Sequence, residues 1–142
     1  MHNRGLSIDY ITRARHRLSS LEVLLTLGDF ADVVREAQEV VELALKALLR
    51  HSGIEVPRVH DVSSILIDNA ALLPAGIQNK ITQLTKISRT LRRDRELAFY
   101  GSEDLTPSEF YKQEDADAAK NQATWVVTEV EAAMVDATAL RR

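Results

Sequence analysis

Apolar residues recur along the chain at steps of three and four. Ile8, Ile11, Leu18, Leu21 and Leu25 mark one face, with Ala14 between them, which predicts a first helix over about 7–27 that ends at Gly28. Asp29 can then cap a second helix with the stripe Phe30, Val33, Ala37, Val41, Ala44, Leu45 and Leu48, stopping near His51 and before Gly53. The short gap at Gly28 makes these two helices a hairpin with facing stripes.

Residues 53–60 hold a Gly and a Pro and no helical period, so they read as a connector. Asp61 is the expected N-cap of a short third helix carrying Val62, Ile65 and Leu66, which ends before Leu73-Pro74. Ile77, Ile81, Leu84, Leu91 and Ala98 then predict a fourth helix from Ala75 to Phe99, stopping at Gly101, with Ser88 and Arg95 on the same stripe. Thr106-Pro107-Ser108-Glu109 has the spacing of a capping box, so the last helix is expected to start there. Its apolar face is Ala116, Ala119, Ala123, Val126, Val127, Val130 and Met134. The pattern predicts an all-α fold, an antiparallel up-and-down bundle of four to five helices, with residues 1–142 as one domain.

Composition agrees with this reading. A chain of 142 residues with 45% apolar and 27% charged residues suits one globular domain and excludes a disordered chain or a highly charged tail protein. Only 5 Gly and 3 Pro are present, too few for the turns of an all-β fold. The absence of cysteine removes disulfides, thiol nucleophiles and thiolate metal sites. No metal and no cofactor is expected. The first residues lack the apolar core of a secretory signal, and no apolar run approaches the roughly 20 residues needed to cross a bilayer, so a cytoplasmic protein with no membrane contact is expected.

The last predicted helix carries a wide apolar arc with Trp125 beside it, and the fourth spreads Leu84, Ile87, Leu91, Ala98 and Phe99 around its axis. That surplus predicts a homodimer, since a two-fold interface is the commonest way to cover such surface.

Net charge is −3, against nucleic-acid binding over the whole surface, but the charge is unevenly placed. From Lys80 to Arg95 there are six basic residues and one acidic, whereas Glu96 to Asp117 holds seven acidic residues and Lys112. One reading is a solvated helix face and an acidic loop that neutralise each other; the other is a ligand site. Arg95 falls on the apolar stripe, where an unpaired guanidinium is costly, so it must meet a carboxylate such as Glu42, main-chain carbonyls, a second copy or a phosphate. His60-Asp61 stands at a junction where the histidine could act as a base or metal ligand, or simply pack while Asp61 caps. Glu42 and Lys46 have the spacing of a helix-surface ion pair, and no role is assigned to His16 or His51.

The chain carries, in order, Leu24 to Phe30, then Ala37, Glu42, Ala44 and Lys46 to Leu49, then Pro57 and His60-Asp61-Val62, then Arg95, Ala98 and Tyr100, and finally Pro107. In this order and spacing these pieces resemble the HEPN family of small prokaryotic helical bundles found in toxin–antitoxin and defence systems. The resemblance implies a dimerising bundle, often accompanied by a minimal nucleotidyltransferase partner. It further implies that many relatives are metal-independent RNases, using an Arg, a polar residue, three more residues and then a His. Here Arg95 takes the Arg position and Glu96 the polar one, but Tyr100 stands in place of the His. A phenol with a reference pKa of about 10 is a poor general base at neutral pH.

Three functions follow. The first is a module that binds a nucleotide, RNA or a partner nucleotidyltransferase through a dimer cleft formed by Arg92, Arg95 and Tyr100. The second is an endoribonuclease in which Arg95 stabilises phosphorane charge, Glu96 is the base and Tyr100 the proton donor. The third is a structural subunit with Arg95 held in an ion pair.

Overall fold

The computed structural model describes the backbone of residues 3–56, 62–100 and 106–140, and the side chains of 5–56, 62–94 and 106–135. Within these, seven α-helices and one 3-10 turn occur and no strand does. They are α1 (Asn3–Thr26), α2 (Phe30–His51), α3 (Val62–Asp68), the 3-10 turn Ala70–Leu72, α4 (Ala75–Gln78), α5 (Ile81–Tyr100), α6 (Pro107–Phe110) and α7 (Gln113–Leu140). Four of these are long, as the bundle reading requires; the others are one- or two-turn connectors.

Local chemistry sets the first turn. Gly28 adopts φ +73°, its N–H donates to Leu25 and that of Asp29 to Leu24, which satisfies two carbonyls left open at the end of α1. The Asp29 carboxylate then accepts from the Asp32 N–H at 3.4 Å and caps α2 as expected. Gly53, at φ +79°, ends α2 in the same manner, and Ile54 after it is buried with Leu49.

The bundle is built around α2, which is buried on nearly every side. Ion pairs Arg15–Glu131 and Lys120–Glu22 run α1 antiparallel to α7, while Lys80–Glu129 and the contact between Tyr111 and Asp94 run α5 antiparallel to α7. Helices α1 and α5 therefore point one way and α2 and α7 the other. The like-directed pair α2 and α7 packs extensively. Both bury small residues, Ala37 and Ala44 on α2 and Ala116, Ala119 and Ala123 on α7, and these permit close approach of the two backbones.

Three expectations are corrected. Ile8 is half exposed, and the core row of α1 is instead Ser7, Ile11, Ala14, Leu18 and Leu21, spaced by four and three residues. The predicted fourth helix is broken at Asn79-Lys80, where the N–H groups of both residues turn back to the Ile77 carbonyl. The break keeps Ile77 in the core and lets Lys80 reach Glu129 at 2.7 Å. The predicted last helix is broken at Tyr111-Lys112. Thr106 caps only the single turn α6, and α7 starts anew with Asp115 accepting from the Lys112 N–H at 2.9 Å.

The apolar surplus on the last helix is also used within one chain. Every residue of its predicted face from Ala116 to Met134 is buried, and Trp125 packs partly against the core. Glu42 and Lys46 are half-buried and do not form an ion pair with each other. Among the described residues, no helix is long and apolar enough to cross a membrane, and no His, Asp or Glu group could hold a metal ion.

Candidate functional site

The basic run lies on α5. Lys86, Arg89 and Arg93 occupy steps of three and four, so they form one row along the helix, with Arg92 beside it; all four are exposed. Lys86 and Arg89 are in no ion pair among the described residues, and Lys80 pairs with Glu129 of α7, outside the acidic run. Arg93 approaches its neighbour Asp94, at 3.5 Å, with 75% of its side chain still exposed. Glu114 and Asp115 occupy the first turn of α7, where the helix dipole favours negative charge.

Arg95, Glu96 and Tyr100 continue the same unbroken helix, so the backbone places all three candidate site residues beyond the basic row. Their side chains lie outside the described residues. His60 and Asp61 lie outside them entirely. His16 is exposed on α1, and His51 ends α2 in the turn where a cation is favoured.

A cleft absent from the expectations opens beside the basic row. It has a volume of about 390 Å³ and lies between the second half of α5, α6 and the start of α7. The break at Tyr111-Lys112 forms one side of it, with α6 packed on α5 and α2. Tyr111 is extended at φ −93° and ψ 138°, its ring is buried, and its hydroxyl donates to the Asp94 carbonyl at 2.7 Å. Phe110 meets that ring edge to face, with centroids 4.9 Å apart. Burial pushes the Tyr111 phenol up to about 12, helped by the Asp94 and Asp115 carboxylates and opposed by Arg93. Tyr111 therefore stays a neutral donor at neutral pH and cannot act as a base. The cleft walls mix carboxylates (Asp94, Asp115), neutral polar groups (Thr90, Gln122) and an apolar floor (Val34, Leu91).

None of Phe110, Tyr111 and Asp115 was singled out from the sequence. The available signal was a capped Pro107 turn followed by two adjacent aromatics just ahead of an acidic stretch.

A family model described as HEPN domain matches residues 8–133, nearly the whole chain. No curated protein and no solved structure matches it.

Proposed function

The chain belongs to the HEPN domain family, and on that premise we propose that it is a binding module rather than a nuclease. It acts as a cytoplasmic homodimer in which Arg95, with Arg92 and Tyr100, lines a shared cleft for a phosphate-bearing ligand, a nucleotide or RNA. A minimal nucleotidyltransferase, as in toxin–antitoxin pairs, is its protein partner. One observation carries the reading: exposed Lys86, Arg89, Arg92 and Arg93 precede Arg95 on a single helix, in a protein whose net charge is −3. Cations concentrated there against an acidic background favour phosphate over other ligands. Tyr100 in place of the motif histidine supports binding over catalysis, because its phenol holds its proton at neutral pH. The dimer rests on Arg95 and the family, not on surplus apolar surface.

Fluorescence polarisation with labelled RNA and a labelled nucleotide tests the reading. Arg95→Ala should weaken binding of at least one of them about tenfold, the scale of one lost charge-assisted contact. Unchanged binding of both overturns it. Sedimentation at micromolar concentration should give about twice 15.9 kDa, and a clean monomer removes the shared cleft. Cleavage of RNA above an Arg95→Ala control would instead establish the endoribonuclease, with Arg95, Glu96 and Tyr100 as its residues.

A further inference from the structure

The cleft between α5, α6 and α7 has chemistry that phosphate binding does not use. A phosphate needs cations and N–H donors, yet among the described lining residues the carboxylates of Asp94 and Asp115 outnumber the one cation, Arg93, beside the Thr90 hydroxyl and the Gln122 amide, which donate as well as accept. Two carboxylates repel a phosphate, so the cleft is not itself the phosphate site. It is also larger than that role requires, at about 390 Å³, within the range of small-molecule sites.

Its other features suit a flat ring bearing N–H groups. Phe110 is 37% exposed at the lip, an uncommon place for a large aromatic, and Tyr111 fixes it edge to face. Tyr111 is in turn anchored to the Asp94 carbonyl, so the aromatic pair is held against α5. Val34 and Leu91 supply an apolar floor. Arg93 lines the same cleft and belongs to the exposed cationic row, so one molecule can place an N–H-rich ring inside and its phosphate on the cations outside.

We propose that this cleft receives an amino-bearing base of the phosphate ligand, adenine, guanine or cytosine, with Phe110 as its stacking surface and Asp94 and Asp115 accepting from its N–H groups. The proposal rests on the phosphate reading above and adds the base to it. A carboxylate accepts from the exocyclic amino group of adenine, guanine or cytosine, whereas uracil offers one N–H flanked by two carbonyl oxygens that repel the carboxylate and is disfavoured. An exposed aromatic stacks on any base, so Phe110 provides affinity and the carboxylates provide selection.

Calorimetric titration of the full chain with GMP, AMP, UMP and ribose 5-phosphate separates the two readings. GMP and AMP should bind about tenfold more tightly than ribose 5-phosphate, the effect of one stacked base, with UMP weaker than either purine nucleotide. Phe110→Ala should bring GMP and AMP close to ribose 5-phosphate while leaving ribose 5-phosphate unchanged. Asp115→Asn, which keeps an oxygen to accept from the Lys112 N–H, should narrow the gap between GMP and UMP. Far-UV circular dichroism verifies that both variants are folded. If ribose 5-phosphate binds as tightly as the nucleotides, the base site is wrong and the phosphate site stands. Should UMP match GMP, or Phe110→Ala leave the nucleotides unaffected, the base site is likewise overturned. If none of the four ligands binds, the phosphate reading falls and takes the base site with it.

Discussion

The Tyr111 hydroxyl donates a 2.7 Å hydrogen bond to the main-chain carbonyl of Asp94, joining the break between α6 and α7 to α5. This bond ties the aromatic wall of the cleft to α5 at the point where a helix expected to be continuous from Pro107 is interrupted. Burial of the ring and a partner for its hydroxyl both favour the extended conformation at Tyr111 over a helical one.

Tyr111→Phe should keep the ring in place and lower stability by about 1 kcal/mol at neutral pH, the net worth of one hydrogen bond. The pH dependence follows from the phenol being pushed up to about 12 from an ordinary value near 10. With the folded value raised, the contribution is complete below about pH 10 and is lost as pH rises toward 12. Wild type should therefore lose stability more steeply than Tyr111→Phe above about pH 10. Urea titrations of both proteins across that range check it; equal slopes count against a buried, hydrogen-bonded phenol.

Legibility in the sequence divides along the same line. Strictly local chemistry was readable: Asp29 caps α2, Gly28 ends α1 and Thr106 caps a helical turn, each through groups within a few residues. The breaks at Asn79-Lys80 and Tyr111-Lys112 were not. Periodicity runs across the first, since Ile77 and Ile81 are four apart, and the second depends on Asp94, 17 residues upstream. The cleft inherits that dependence. No spacing rule places Phe110 and Tyr111 beside Asp94; only packing of α6 onto α5 does. The basic row on α5 was legible as a charge run, but that Lys86 and Arg89 meet no ion-pair partner among the described residues came from the fold.

Close approach of α2 and α7 leaves little room for larger side chains at their alanines. Ala123→Leu, at a position with no exposed surface, should destabilise by about 1–3 kcal/mol through overpacking. Ala132→Leu, on the exposed side of the same helix, should stay within about 0.5 kcal/mol of wild type. Chemical denaturation of the pair distinguishes packing from helix propensity, because both changes replace Ala with Leu in one helix.

The ion pairs that join α7 to its neighbours should differ in strength according to their exposure. Arg15 and Glu131 retain 46% and 36% side-chain exposure, and Lys80 and Glu129 retain 35% and 19%. Glu131→Gln should cost less than about 1 kcal/mol, falling toward zero in molar salt. Glu129→Gln should cost more and lose less of its effect to salt, since its partner is left in a less solvated site. Thermal melts at low and high salt order the two; a larger loss for Glu131→Gln contradicts the assignment.

The cationic row on α5 predicts separate behaviour for stability and binding. Lys86 and Arg89 are exposed and in no ion pair among the described residues, so nothing in the fold depends on their charge. Replacing both with Gln should leave the unfolding free energy within about 0.5 kcal/mol of wild type, or raise it slightly by relieving repulsion with Arg93. Seven residues of helix separate Lys86 from Arg93, a span of about 10 Å, which one mononucleotide phosphate cannot bridge but successive phosphates of a strand can. The double variant should therefore bind a mononucleotide as wild type does while losing affinity for single-stranded RNA. The slope of log affinity against log salt should become shallower by about 1.4, roughly 0.7 for each phosphate contact removed from a single strand. Polarisation titrations of labelled RNA at several salt concentrations measure that slope directly. An unchanged slope means that RNA, if bound, does not run along this row, and confines phosphate recognition to the neighbourhood of Arg95.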